Sequence, residues 1–180
     1  PTLRSTTGGT IPAPATSNTA ALAMAHELGV IYSEGLYKNP FIGRTFIMPG
    51  QEIRKKSVRY KLNPQETEIR DKKVMILDDS VVRGTTSKEI VKMMREFGAK
   101  EVYFVVACPP VKFPCFYGVD IPTKTELIAA RQSEEEIRQF IGADILLYQT
   151  IDDLVEAVTR RGEHNIDRPC LGCLDGFYIT

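Results

Sequence analysis

The sequence of 180 residues has no excess of charge of either sign, because 23 Lys and Arg are balanced by 23 Asp and Glu. A protein that binds nucleic acid or an anionic membrane through a broad positive field needs such an excess, so we expect neither partner. No apolar run approaches the roughly 20 residues that cross a bilayer, and the first residues lack the pattern of a signal peptide. We therefore expect a cytosolic protein that binds a small molecule.

Side chains that commonly bind metals or react as nucleophiles are also few. The two His, His26 and His164, lack the spacing of metal ligands, and we expect both to be surface or structural residues. There are four Cys, and in a reducing cytosol paired cysteines more often serve metal or redox chemistry than disulfides. No G-x-x-x-x-G-K-[ST] string occurs, which excludes a Walker-type nucleotide loop.

What remains is the composition of one globular domain, with 43% hydrophobic and 26% charged residues. Short apolar runs predict buried strands at Val74–Leu77, Val102–Ala107 and Ile145–Tyr148. Amphipathic stretches before, between and after these strands predict helices at Thr19–Leu28, Ser87–Phe97, 133–141 and Asp152–Thr159. This alternation predicts an α/β fold with a central parallel sheet flanked by helices.

The domain boundaries follow from composition. Residues 1–10 are polar and rich in Gly and Thr, and we expect a linker or truncated edge without secondary structure. Residues 11–162 form the predicted domain, and residues 163–180 a C-terminal tail that carries a C-x-x-C pair.

The segment VMILDDSVVRGTTS, residues 74–87, carries the clearest chemistry. A predicted strand ends in Asp78 and Asp79, and Gly84 with three hydroxyl residues then begins a helix. The glycine permits a tight turn, and the helix N-terminus offers N–H donors and a positive dipole end to a phosphate. Paired carboxylates accept hydrogen bonds from sugar hydroxyls or bind Mg²⁺. The segment therefore predicts a phosphate, ribose and metal site at the carboxyl end of a strand.

This segment resembles the phosphoribosyl diphosphate (PRPP) motif of the type I phosphoribosyltransferases. The strings GRTFIMPGQ, VRYKLNP and FPCFYGVDIPTKTELIAA narrow the resemblance to the amidophosphoribosyltransferase family, from about Pro12 to the end of the chain. The resemblance implies the type I phosphoribosyltransferase fold. It also implies the first committed step of purine synthesis, in which PRPP and glutamine-derived ammonia give 5-phosphoribosylamine, diphosphate and glutamate.

That family carries an N-terminal glutaminase domain, for which this chain has no room. We therefore expect the chain to be the transferase part of a longer enzyme. On its own, we expect at most an activity that depends on added ammonia. We also expect a homo-oligomer.

The resemblance implies roles for the matching residues. Asp78 and Asp79 would hold the ribose hydroxyls and Mg²⁺, and Ser17 would assist the metal. Lys38 and Arg44 lie at the root of a loop that closes over diphosphate, and Arg44 joins the two acids as the expected catalytic set. The implied PRPP-binding residues are Lys38, Arg44, Asp78, Asp79, Ser80, Arg83, Gly84, Thr85, Thr86 and Ser87.

Three of the cysteines resemble ligands of a [4Fe–4S] cluster that some members of the family carry. They are Cys115, Cys170 and Cys173, and the fourth ligand would lie upstream of this chain, so we expect the cluster only in the full-length protein. The C-x-x-C pair on its own also fits zinc or a redox pair. Cys108 follows a predicted strand, and we expect it to be a small packed thiol.

Two alternatives keep the PRPP site and change the function. A phosphoribosyltransferase that acts on a purine or pyrimidine base would need a hood over the base, and no aromatic-rich segment suits one. A non-catalytic PRPP-sensing regulator would bring a basic DNA-binding element, which the even charge balance disfavours. The fold alone does not separate these functions.

Overall fold

The computed structural model describes residues 7–40, 62–118, 123–159 and 168–178. In chain order the strands are β1 (Thr7–Pro12), β2 (Leu36–Lys38), β3 (Leu62–Pro64), β4 (Lys73–Asp78), β5 (Glu101–Val106) and β6 (Ile145–Tyr148). The helices are α1 (Asn18–Leu28), α2 (Glu66–Ile69), α3 (Thr85–Glu96), α4 (Glu134–Ile141), α5 (Ile151–Thr159) and α6 (Gly172–Asp175), and a 3-10 helix covers Ile128–Ala130.

The main sheet has the strand order β1-β4-β5-β6, and each neighbouring pair is parallel. The register places Pro12 beside Leu77, Asp78 beside Val106, and Val106 beside Tyr148. The carboxyl ends of the four strands therefore meet at one edge of the sheet, where ligands of open α/β sheets bind. The predicted central parallel sheet is confirmed, and β2 and β3 form a separate antiparallel pair.

The core lies on both faces of β4, as a continuous apolar strand predicts. Residues 74–77 of this strand are all buried, and Ile90, Val91 and Met94 of α3 form one apolar cluster with Val74 and Ile76. Because a parallel strand is covered on both faces, it carries apolar residues at consecutive positions rather than in alternation. The predicted strands and helices of this region are confirmed to within two residues at each end.

Local sequence signals set the helix ends. The Ser133 side chain accepts a hydrogen bond from the Glu136 amide, and the Glu136 carboxylate accepts one from the Ser133 amide, which makes a capping box at the start of α4. Helix α1 begins after Ser17 and ends at Gly29, which has a φ of 64°. That left-handed conformation favours glycine, so the predicted end of the helix is confirmed.

The N-terminal residues correct one expectation. Thr7 to Thr10 belong to strand β1 rather than to a linker without structure. Backbone hydrogen bonds account for this strand: it pairs with β4 on one side, and on the other the Thr10 amide donates to the Ile31 oxygen at 2.7 Å. A Cβ on Gly9 would lie 3.2 Å from that same oxygen, so the small residue suits this close approach. Residues 7–10 carry no run of apolar side chains that would predict a strand, because backbone hydrogen bonds to its neighbours stabilise β1.

The described part of the C-terminal tail packs against the domain. Leu171 and Leu174 are buried in a second apolar cluster with Val111 and Leu127. The Tyr178 hydroxyl donates to the Pro114 oxygen at 2.6 Å, which ties residues 168–178 to the loop after β5. Across all the described ranges, no helix has both the length and the apolar character that spanning a membrane requires.

Candidate functional site

The N-terminus of α3 is an open set of hydrogen-bond donors at the carboxyl edge of the sheet. Gly84 precedes the helix with a φ of 74°, and no described side chain caps this end. A Cβ on Gly84 would lie 2.8 Å from the Ile128 side chain and 3.1 Å from the Phe140 ring, so only glycine fits without a shift. The first-turn amides of Thr85, Thr86 and Ser87 have no partners within the helix. With the positive end of the helix dipole, they form a site for an anion such as phosphate.

The paired acids lie at the end of β4, next to this helix start. Asp78 is buried, with 9% of its surface exposed, and its Oδ1 accepts a hydrogen bond from the Asp79 amide at 2.9 Å. Burial, with the neighbouring Asp79 charge, raises the pKa of Asp78 to about 7. Asp79 is exposed, and its carboxylate accepts a hydrogen bond from the Ser80 hydroxyl at 3.3 Å. Asp79 therefore faces solvent. The charged form of Asp78 is unfavourable, and a bound cation or hydroxyl would stabilise it.

Ser17 lies in the loop that follows β1, at the same edge. The Ala13 amide donates to the Leu77 oxygen at 2.7 Å, so this loop leaves the sheet beside the end of β4. Ser17 is 2% exposed, and within the described residues its hydroxyl oxygen has no hydrogen-bond partner. A buried hydroxyl without a partner costs free energy, so a bound ligand or ion would relieve this cost.

These residues fit a magnesium ion. Its preferred ligands are oxygens, and it is commonly held by one or two protein carboxylates together with substrate oxygens. No group of three or more His, Cys, Asp or Glu in the described ranges is arranged to hold a metal on its own. Asp78 and Asp79 supply two carboxylates of the kind that magnesium accepts.

The cationic residues are divided between two places. Arg83 lies in the turn before Gly84, and its Nε donates to the Glu126 carboxylate at 3.1 Å. Lys38 is exposed on β2, in the separate two-stranded sheet. Arg44 lies outside the described residues, so its role stays a prediction.

Two residues at this edge were missed by sequence reasoning. Tyr148 ends β6, and its hydroxyl is buried without a partner among the described residues. Its position at the end of a predicted strand was a usable signal. Glu126 contacts Arg83 from 43 residues away, and the sequence carries no signal for such a contact.

Cys108 and Cys173 both pack against the second apolar cluster, and Cys170 is exposed. Burial raises the pKa of Cys108 to about 11, and Cys108 packs against the second apolar cluster, so the predicted packing of this thiol is confirmed. Burial also raises the pKa of Cys173, with smaller contributions from Cys115 and Cys170, so both of these thiols lie within electrostatic reach of Cys173. Among the described residues no group of three or more His, Cys, Asp or Glu is placed to hold a metal ion, and the iron–sulfur cluster stays a prediction.

Comparison with known proteins agrees with this geometry. The phosphoribosyl transferase domain family matches residues 7–134. The amidophosphoribosyltransferase of Pseudomonas aeruginosa is 55% identical over 94% of this chain, and that of Escherichia coli is 51% identical over the same share. The glutamine PRPP amidotransferase of Bacillus subtilis, solved in complex with ADP and GMP, superposes with a TM-score of 0.80 at 44% identity over 94% of this chain.

The chain spans only part of these relatives. It covers 34% of the length of the Pseudomonas aeruginosa and Escherichia coli proteins and 37% of the Bacillus subtilis chain.

Proposed function

The chain belongs to the phosphoribosyl transferase domain family, and from this membership we propose that it is the transferase part of an amidophosphoribosyltransferase. Its reaction would join ammonia derived from glutamine to PRPP and give 5-phosphoribosylamine and diphosphate. The observation that carries the proposal is the placement of Asp78 and Asp79 directly before the uncapped N-terminus of α3 at Gly84. The similarity to amidophosphoribosyltransferases over 94% of the chain supports this choice of acceptor.

Each part of this edge has a distinct task in such a reaction. The first-turn amides of α3 and the hydroxyls of Thr85, Thr86 and Ser87 would bind the 5-phosphate. The carboxylates of Asp78 and Asp79 would accept hydrogen bonds from the ribose hydroxyls and so fix the sugar in one orientation. A magnesium ion held by these acids, with Ser17 beside them, would supply positive charge to the departing diphosphate.

The bond that breaks is the one between ribose C1 and the diphosphate oxygen, and the electron pair leaves with the diphosphate. Positive charge then develops on the ring, the ammonia nitrogen forms the new bond to C1, and the resulting ammonium group loses one proton to solvent or to the released diphosphate. Ammonia is already a nucleophile, so the site needs no strong general base. The demands on the protein are orientation, a neutralised leaving group and exclusion of water. Lys38 and Arg44 are the proposed additional cations for the leaving group.

The remaining partners belong to the longer protein. We propose that a glutaminase domain supplies the ammonia, as the names of the relatives imply. A homo-oligomer, a cytosolic location and an iron–sulfur cluster completed by a cysteine outside this chain stay predictions.

The test is diphosphate release from PRPP and Mg²⁺, measured with and without ammonium chloride. The wild-type chain and Asp79→Asn are compared with Asp71→Asn as a matched control. Asp71 is exposed, lies before the opposite end of β4, and has a φ of 62° that Asn also adopts.

We expect ammonium-dependent release in the wild type and in the control, and none in Asp79→Asn. PRPP binding without release would favour the sensing module. Release that needs a purine or pyrimidine base instead of ammonium would favour the base transferase. No PRPP binding would refute the proposal.

A further inference from the structure

An ion pair joins the turn before α3, residues 80–84, here called the phosphate loop, to a distant segment of the chain. Arg83 stands directly before Gly84, and its Nε lies 3.1 Å from Oε1 of Glu126. Both side chains are partly exposed, at 40% for Arg83 and 46% for Glu126. The two residues are 43 positions apart, so the pair exists only because the tertiary structure brings two loops together.

The segment that carries Glu126 is anchored by Ile128 to the residues on either side of Arg83. The Ile128 amide donates to the Val82 oxygen at 3.0 Å, immediately before Arg83. The Ile128 side chain also lies against Gly84, immediately after Arg83. Leu127, between Glu126 and Ile128, is fully buried in the second apolar cluster. Glu126 is therefore presented to Arg83 from a fixed backbone and not from a free loop tip.

The geometry of the pair leaves most of the guanidinium available. Arginine has five N–H donors in one plane, and Glu126 takes only the one on Nε. None of the described residues hydrogen-bonds to the two terminal nitrogens of Arg83. A carboxylate on Nε fixes the plane and direction of the group, and the paired terminal donors match the oxygens of a phosphate.

We infer that Glu126 is a positioning residue that orients Arg83 towards the phosphate bound at the N-terminus of α3. This inference rests on the proposed function, because the phosphate is that of PRPP. Glu126 does not touch the substrate and acts through Arg83 alone. A carboxylate that merely competed with phosphate for Arg83 would have the opposite effect, and its removal would tighten PRPP binding.

The experiment measures PRPP affinity by calorimetry with Mg²⁺, together with KM and kcat in the ammonium-dependent assay. The variants are Glu126→Ala, Glu126→Gln, Arg83→Ala and the Glu126→Ala, Arg83→Ala double variant. Glu66→Ala is the matched control, since Glu66 also pairs with an arginine, Arg70, on an exposed surface, but in α2 before the opposite end of β4.

We expect Glu126→Ala to weaken PRPP binding by about two- to fivefold, the range of a partly exposed ion pair, and to raise KM without lowering kcat. Glu126→Gln should weaken PRPP binding less, because the glutamine amide oxygen still accepts a hydrogen bond from Nε of Arg83. In the Arg83→Ala background, Glu126→Ala should have no further effect. The Glu66→Ala control should match the wild type.

Three results overturn the inference while leaving the proposed function intact. They are unchanged or tighter PRPP binding in Glu126→Ala, an equal loss of affinity with and without Arg83, and a loss confined to kcat. A wild-type chain that binds no PRPP overturns the proposed function and this inference together.

Discussion

We expect Asp78 to make the ligand-free protein less stable as the pH rises, by an amount large enough to measure. Its pKa in the folded protein is raised from the ordinary value of 3.8 to about 7 by burial and by Asp79. In the unfolded chain the carboxyl is exposed and titrates near its ordinary value. Between these two pH values the folded state holds one more proton than the unfolded state, so the stability falls with increasing pH.

The magnitude follows from proton linkage. Each pH unit between the two pKa values is worth about 1.36 kcal/mol, so the whole window from about pH 4 to pH 7 removes about 4 kcal/mol. This contribution is fully present below pH 4 and is lost as the pH rises through 7. Between pH 5 and pH 8, the experimentally convenient part, the loss is about 2.5 kcal/mol.

The variant Asp78→Asn isolates this effect, because its amide has nearly the same shape and does not ionise. We expect its free energy of unfolding, measured by urea titration without ligand, to exceed that of the wild type increasingly from pH 5 to pH 8. The difference between the two proteins should grow by about 2.5 kcal/mol over that range. The same variant should lose diphosphate release, since the amide is a poor substitute for a carboxylate towards ribose and metal.

The control is Asp71→Asn, whose stability should follow the wild type at every pH. Saturating PRPP and Mg²⁺ should flatten the pH dependence of the wild type, because ligands that stabilise the carboxylate lower its pKa. If wild type and Asp78→Asn lose stability in parallel between pH 5 and pH 8, the reasoning is refuted. Asp78 would then be ionised at ordinary pH in the folded, ligand-free protein.

Three further changes have defined outcomes. Gly84→Ala should lower the free energy of unfolding by about 1–2 kcal/mol in urea titrations, because alanine is strained at a φ of 74° and its Cβ would clash with the 3-10 helix. Unchanged stability would contradict the turn described at Gly84. Ser133→Ala should cost about 1 kcal/mol in the same assay by removing the capping box, and Ser133→Thr should largely retain it. In native protein at pH 7.5, iodoacetamide should label the exposed Cys170 well before the part-buried Cys108, because the pKa of Cys108 is about 11. Peptide mass spectrometry would follow the two labelling rates. Equal rates would contradict the packed position of Cys108.

The sequence alone determined the parts of the molecule that depend on neighbouring residues. The end of α1 at Gly29, the capping box at Ser133 and the apolar run of β4 rest on contacts or periodicities within a few positions. The order of apolar strand, paired acids and Gly-Thr-Thr-Ser similarly predicted the site, because a strand followed by a helix start presents those groups at one edge.

The tertiary structure alone decided what depends on distant residues. Strand β1 has few apolar side chains, and its partners are Lys73 to Leu77 and the backbone near Ile31, which no local pattern reveals. The pKa of Asp78 is set by burial beneath the rest of the fold. The pairing of Arg83 with Glu126 likewise spans 43 residues. Burial and long-range contacts exist only once the chain is folded, so the charge state of the acid and the orientation of the arginine could not be predicted from the residues themselves.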